Sequence, residues 1–119
     1  MNDPVCPMAA AARLLGDKWT LIVLRDLAQG SCRFKSLENS GEGISPSILT
    51  ARLRELEEKG LISRRSFNEI PPRVEYTLTE KGRDVLPVID ALRTYGVRWC
   101  VAQVLSTIPD SAEPQTVNA

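Results

Sequence analysis

The sequence predicts an α+β fold, mainly helical, with one two-stranded hairpin. Three observations lead there. Apolar residues recur at helical spacing through the first half of the chain. From Leu61 to Leu78 the period shortens to two. After Thr79 the helical period returns and persists almost to the end.

The first helix is predicted over Pro7 to Leu15, because proline suits a first turn and Gly16 suits a stop. Asp17 caps a second helix, Lys18 to Ala28, with Trp19, Ile22, Val23 and Leu27 on one face and Gly30 closing it. A short third helix covers roughly Arg33 to Asn39, with Phe34 and Leu37 facing inward, and Ser40-Gly41-Glu42-Gly43 is a turn by composition. Ser45 then caps a fourth helix that opens with Pro46 and stops at Gly60. In it Leu49, Leu53 and Leu56 form one apolar stripe. The opposite face carries Ser47, Thr50, Ala51 and Arg54, which are small and hydrogen-bonding apart from one long cation. Such a face suits close approach to another surface.

Leu61 to Phe67 is predicted as a strand, and Arg73 to Leu78 as a second with Val74, Tyr76 and Leu78 on one side. Asn68 to Pro72 forms the hairpin tip, stiffened by Pro71 and Pro72, which donate no amide hydrogen bonds. Thr79 caps a long last helix running from Glu80 to Ala102 or Leu105, with Pro87 bending its axis. Four helices, a hairpin and a long helix make the plan of a winged helix-turn-helix. Residues 1–108 are expected to form one DNA-binding and dimerisation domain, and the polar stretch 109–119 a disordered tail.

The bulk numbers narrow the functional classes. A chain of 119 residues, 43% hydrophobic and 25% charged, fits one globular domain. No apolar run approaches the roughly 18 residues of a membrane span, and Met1-Asn2-Asp3 does not begin a signal peptide, so a cytoplasmic protein without membrane contact is expected. The net charge is zero, but eight cations from Arg52 to Arg83 cluster centrally. The segment from Gln103 onward holds Asp110 and Glu113 and no cation, leaving the remainder with 15 cations against 13 acids. The chain contains no histidine, and Cys6, Cys32 and Cys100 have no metal-type spacing. A zinc site, a histidine-based active site and a histidine pH switch are therefore excluded. Without a Gly-rich phosphate loop or clustered carboxylates, no enzyme activity and no cofactor are expected.

Several segments, in order, resemble one family. They are Cys6-Pro7, Gly16-Asp17-Lys18-Trp19, Arg33-Phe34, and Ile44-Ser45 ahead of Leu49-Thr50 and Leu53-Arg54-Glu55-Leu56. Glu69-Ile70-Pro71-Pro72-Arg73-Val74-Glu75-Tyr76 and Leu78-Thr79-Glu80-Lys81-Gly82 complete the set. Together, from Cys6 to Trp99, they resemble the HxlR-type regulators, bacterial winged-helix repressors and activators related to the MarR group. Where that family often has a second glycine before Lys-Trp, this chain has Asp17. The resemblance implies binding of operator DNA as a homodimer, joined through the first and last helices. It also implies a cysteine before the proline, here Cys6, that senses electrophiles or oxidants.

The candidate sites follow. Ser47, Thr50, Ala51 and Arg54 are the recognition face, since short hydrogen-bonding side chains fit the major groove and arginine reads guanine or grips phosphate. Arg33, at the start of the third helix, and Arg73, at the wing, are candidate DNA contacts, with Lys18 and Arg64 as weaker ones. Val85, Ile89, Leu92, Tyr95 and Trp99 are the expected dimer interface. Trp19, Phe34, Tyr76 and Trp99 are assigned to core or interface in preference to an effector pocket. Cys6 needs an accessible thiolate at a helix N-terminus to be reactive. Cys32 and Cys100 are read as packing residues, with Cys100 alternatively resolving an oxidised Cys6. Two alternatives to a redox-sensing DNA regulator stand: a winged-helix module that binds protein, and a regulator switched by a small-molecule effector.

Overall fold

Capping side chains set the helix starts in the computed structural model, which describes residues 5–40 and 42–102. Ahead of α1 (Pro7–Leu15), Cys6 Sγ accepts the Ala9 N–H at 3.4 Å. Ahead of α2 (Lys18–Leu27), Asp17 Oδ2 accepts the Thr20 N–H at 3.0 Å. The short α3 (Phe34–Glu38) has no side-chain cap, and Arg33 and Asn39 flank it instead of joining it. For α4 (Pro46–Glu58), Ser45 Oγ accepts the Ile48 N–H at 3.2 Å. Each cap satisfies an amide that the first helical turn leaves without a partner.

The buried edge of α2 differs in phase from the one expected. It consists of Thr20, Val23, Leu24 and Leu27, while Trp19 and Ile22 are only half-buried. Thr20 tolerates burial because its hydroxyl reaches Asp17 Oδ2 at 3.4 Å. Trp19 stays partly outside, with the Lys18 ammonium 4.7 Å from its ring centre. In α4, Leu49, Leu53 and Leu56 are buried as expected, and the helix lies against α2, α3 and a strand.

That strand is β1 (Ile62–Phe67), which pairs antiparallel with β2 (Arg73–Leu78) so that Ile62 faces Leu78 and Phe67 faces Arg73. Cys32 extends the sheet by one residue. Its N–H donates to the Tyr76 carbonyl at 3.0 Å and its carbonyl accepts the Tyr76 N–H at 2.8 Å. Leu61, expected as the first strand residue, instead closes α4, its N–H donating to the Leu56 carbonyl at 2.9 Å. Gly60 makes this turn possible with φ of 79°. The same corner receives Thr79 Oγ1 on the Gly60 carbonyl at 2.6 Å and Lys81 Nζ on the Lys59 carbonyl at 2.7 Å. Gly82, in α5 (Glu80–Arg83), lies so close to the Leu61 carbonyl that no Cβ would fit.

The long last helix is interrupted. After α5 the chain turns at Asp84 and Val85, and α6 (Leu86–Tyr95) begins with Pro87 in second place. Pro87 has no N–H for the Arg83 carbonyl, and its ring occupies the space that carbonyl would need. The sequence placed this proline as a bend; it acts as a break. The chain divides here into two compact units, Met1–Leu86 and Pro87–Ala119. Beyond α6, Gly96–Cys100 forms a π-helical turn in which the Val101 N–H donates to the Gly96 carbonyl. The alternative helix end at Leu105 and the expected tail 109–119 lie outside the described residues. Among the described residues no helix is long and apolar enough to cross a membrane.

One ion pair ties α4 to α2. Arg52 donates to Asp17 through Nε at 2.8 Å and Nη2 at 3.2 Å, a two-pronged contact across 35 positions of sequence. The hydrogen bond from Arg52 holds the Asp17 carboxyl below its usual range, helped by the Thr20 amide and opposed by burial. A carboxyl depressed in the folded state stabilises above its unfolded pKa, and that stability disappears as pH falls through the folded value. Asp17→Asn keeps a capping acceptor but loses the charge and one of the two oxygens that accept from Arg52. Being partly exposed, the pair is worth under about 1 kcal/mol. In urea unfolding the wild type should exceed Asp17→Asn at pH 7, and the gap should close below about pH 4. A gap that does not change with pH would mean the charge contributes nothing.

Candidate nucleic-acid interface

With its leucines buried, α4 turns the opposite edge outward. Ser47, Ala51 and Arg54 are exposed, and Thr50 is half-buried. Thr50 Oγ1 donates to the Pro46 carbonyl at 2.8 Å, which leaves its lone pairs and methyl group to face outward. Arg54 makes no ion pair or side-chain hydrogen bond among the described residues.

Beside this edge runs a groove of about 370 Å³, lined by Phe34, Thr50, Leu53, Arg54, Glu57, Arg64 and Tyr76. The fold thus brings Thr50, Arg54 and Arg64 together from α4 and β1. Phe34 and Tyr76, assigned to the core or interface, are half-buried and form the groove's aromatic wall. Trp19 and Trp99 do not line it. The sequence did not single out Glu57, although it stands one helical turn beyond Arg54 on the same face. A carboxylate there can accept from a cytosine amino group and disfavours a phosphate.

Several other cations are ion-paired, while Lys81 and Arg83 donate to main-chain carbonyls and Lys18, Arg65 and Arg98 stand over aromatic rings. Arg25 pairs with Asp26 at 2.8 Å, Lys35 with Glu38 at 3.9 Å, Lys59 with Glu55 at 4.0 Å and Arg93 with Asp90 at 2.9 Å. Arg33, Arg54 and Arg64 are exposed and, among the described residues, have no such partner. Arg73 belongs to the paired group, 3.1 Å from Glu69 and 3.6 Å from Glu75.

The expected dimer residues also divide. Val85 and Ile89 are 8% and 7% exposed within the single chain and offer little surface to a partner. Leu92, Tyr95 and Trp99 remain open, at 48%, 61% and 61%. Cys6 and Cys100 are exposed. Cys32 is half-buried, with Sγ near the Asp26 and Gly30 carbonyls at 3.6 and 3.7 Å. Burial, then the Asp26 charge, pushes the Cys32 thiol up from its ordinary value.

A helix-turn-helix followed by a two-stranded wing, with a small polar edge outward, defines a winged-helix transcriptional regulator. The chain belongs to the HxlR-like helix-turn-helix family, whose model matches residues 14–104. An uncharacterized HTH-type transcriptional regulator of Synechocystis is 44% identical over 95 residues, spanning 80% of this chain and 70% of that one. A MarR-family regulator structure from Porphyromonas gingivalis W83 superposes with a TM-score of 0.77 at 35% identity, covering 83% of this chain and 97% of the other. The redox regulator HypR in its oxidized form gives 0.72 at 34% identity, covering 76% and 94%.

The three thiols should differ in reactivity. Under limiting iodoacetamide at neutral pH, mass spectrometry should find Cys32 alkylated last, since alkylation requires an accessible thiolate. Labelling of Cys32 as fast as Cys6 would contradict its burial.

Proposed function

We propose that the protein is a sequence-specific DNA-binding regulator that acts as a homodimer and responds to oxidants or electrophiles through Cys6. The observation that carries the DNA-binding part is the distribution of unpaired cations. Arg25, Lys35, Arg52, Lys59, Arg73 and Arg93 are ion-paired within the fold, whereas Arg54 and Arg64, which line the groove beside the small polar edge of α4, and Arg33 ahead of α3 have no ion-pair partner among the described residues. Arg54 reads a base edge or holds a phosphate, Ser47, Thr50 and Ala51 allow the helix into the major groove, and Arg33, Arg64 and Lys18 grip the backbone. Dimer formation is supported by the open apolar side chains Leu92, Tyr95 and Trp99, together with the exposed Met8 on α1. The redox response is supported by the likeness to HypR and by the solvent-open sulfur of Cys6 at the start of α1. Oxidation there joins subunits or shifts α1, changing the spacing of the two recognition helices. A second reading, a small-molecule effector, is favoured by the groove itself, because a ligand between Arg54 and Tyr76 would occupy the DNA face.

Arg54→Ala should lower affinity for the DNA upstream of the protein's own gene by about tenfold, and relax base preference, without changing oligomeric state. Unchanged affinity and selectivity in fluorescence anisotropy would refute the placement of α4. No wild-type binding even at low salt would favour a protein-binding module. Cys6→Ser should abolish the response of DNA binding to diamide or a quinone. If the response persists, the switch lies elsewhere.

A further inference from the structure

Arg73 opens β2, and its guanidinium is occupied on three sides. Nη2 lies 3.1 Å from Glu69 Oε2, Nε lies 3.6 Å from Glu75 Oε2, and Cζ stands 3.9 Å from the centre of the Phe67 ring. Arg65 approaches the same ring at 4.7 Å. Nε is buried and has no hydrogen-bond partner. An arginine that grips a phosphate presents an open fork of donors. Here two carboxylates and a ring already hold that fork. Withdrawing it toward DNA would leave Glu69 and Glu75 facing phosphates of like charge.

The same contacts shape the loop between the strands. Pro71 and Pro72 have no N–H to donate. Among the described residues the loop's main-chain hydrogen bond is that of the Glu69 N–H to the Phe67 carbonyl, at 2.8 Å. The Glu69–Arg73 ion pair therefore brackets the tip from both sides. Between its two ends stands Ile70, 100% exposed. An isoleucine held entirely in water adds no burial to the fold. The wing strand and α4 border one groove through Arg64 and Arg54. Three strand residues at about 3.3 Å each carry the chain about 10 Å from Arg64, at the groove, to Phe67, at the base of the tip.

We infer that Arg73 is a positioning residue and that Ile70, held out by it, is the wing's own contact with DNA. Ile70 makes an apolar contact along the walls of the minor groove next to the major groove that α4 enters. This rests on the DNA-binding reading above. Arg73, expected from the sequence to touch DNA itself, acts instead through Glu69 and the tip.

Glu69→Gln separates the two roles. If Arg73 touches phosphate, removing a nearby carboxylate relieves repulsion and tightens binding. If Arg73 positions the tip, the same change loosens Ile70 and weakens binding. Anisotropy titrations with the upstream duplex should show Ile70→Ala weakening binding about three- to tenfold, with an unchanged salt dependence. Glu69→Gln and Arg73→Lys should each give a similar loss. Combining Ile70→Ala with Arg73→Lys should be no worse than the weaker single variant. Thermal melts of each variant separate a loose tip from an unfolded protein, and Glu69→Gln replaces Arg73→Lys if the latter melts early. The inference is overturned if Glu69→Gln tightens binding, if Arg73→Lys binds like wild type, or if the two losses multiply. Absence of wild-type binding would instead strike the DNA-binding reading itself.

Discussion

Everything outward on α4 follows from what its other edge must bury. Leu49, Leu53 and Leu56 are removed from water, so rotating the helix would expose three leucines and is strongly unfavourable. Rotation is thus fixed by the core, while position along the axis is fixed at the middle and at the C-terminal end. Arg52 reaches Asp17 from the middle of the helix, and Thr79 and Lys81 hold the Gly60 and Lys59 carbonyls just past its C-terminal end. Because Asp17 also caps α2, one carboxylate ties α4 to the start of α2. The edge carrying Ser47, Thr50 and Arg54 is presented rigidly, without a loop having to order itself first.

Zero net charge and a cationic working face are compatible once the pairing is considered. Among the described residues the acids stand mostly beside cations that neutralise them, as with Asp26 and Arg25 or Asp90 and Arg93. Those pairs are close in sequence and add little field beyond a Debye length of about 8 Å. On the first unit Arg54 and Arg64, outside any ion pair, stand together at the groove beside α4, while Arg13, Lys18, Arg33 and Arg65 are likewise unpaired elsewhere among the described residues. Summed charge therefore says little about such a chain, and the arrangement of its charges says much.

Helix starts were legible because their causes are local: Asp17, Ser45 and Thr79 bond to an amide three residues away, and Pro7 and Pro46 sit where a missing N–H costs nothing. The stripe of α4 was legible for the same reason. Features decided by distant residues were not. The phase of α2 depends on Thr20 sharing the Asp17 carboxylate, and Cys32 joins the sheet only because Tyr76 offers both its main-chain groups. Arg73 looked like a free cation because Phe67 and Glu75 close on it only after the hairpin forms. The break before Pro87 was half legible: the proline was noticed, but its effect depended on whether the preceding turn could absorb it. How Arg54 would be used could not be read without knowing that Arg64 lies across the same groove.

The π-helical turn at Gly96–Cys100 has a consequence for pairing among relatives. One extra residue in a turn rotates every later side chain by about 100° relative to a regular α-helix. Trp99 and Val101 are therefore displayed at an angle that a paralogue with the same apolar residues, but an unbroken helix, would not match. Under the dimerisation proposed above, that offset would discourage mixed assemblies in a cell holding several such regulators, without requiring any charge or clash. Identity of partner would then be encoded in the winding of the backbone as much as in the side chains themselves.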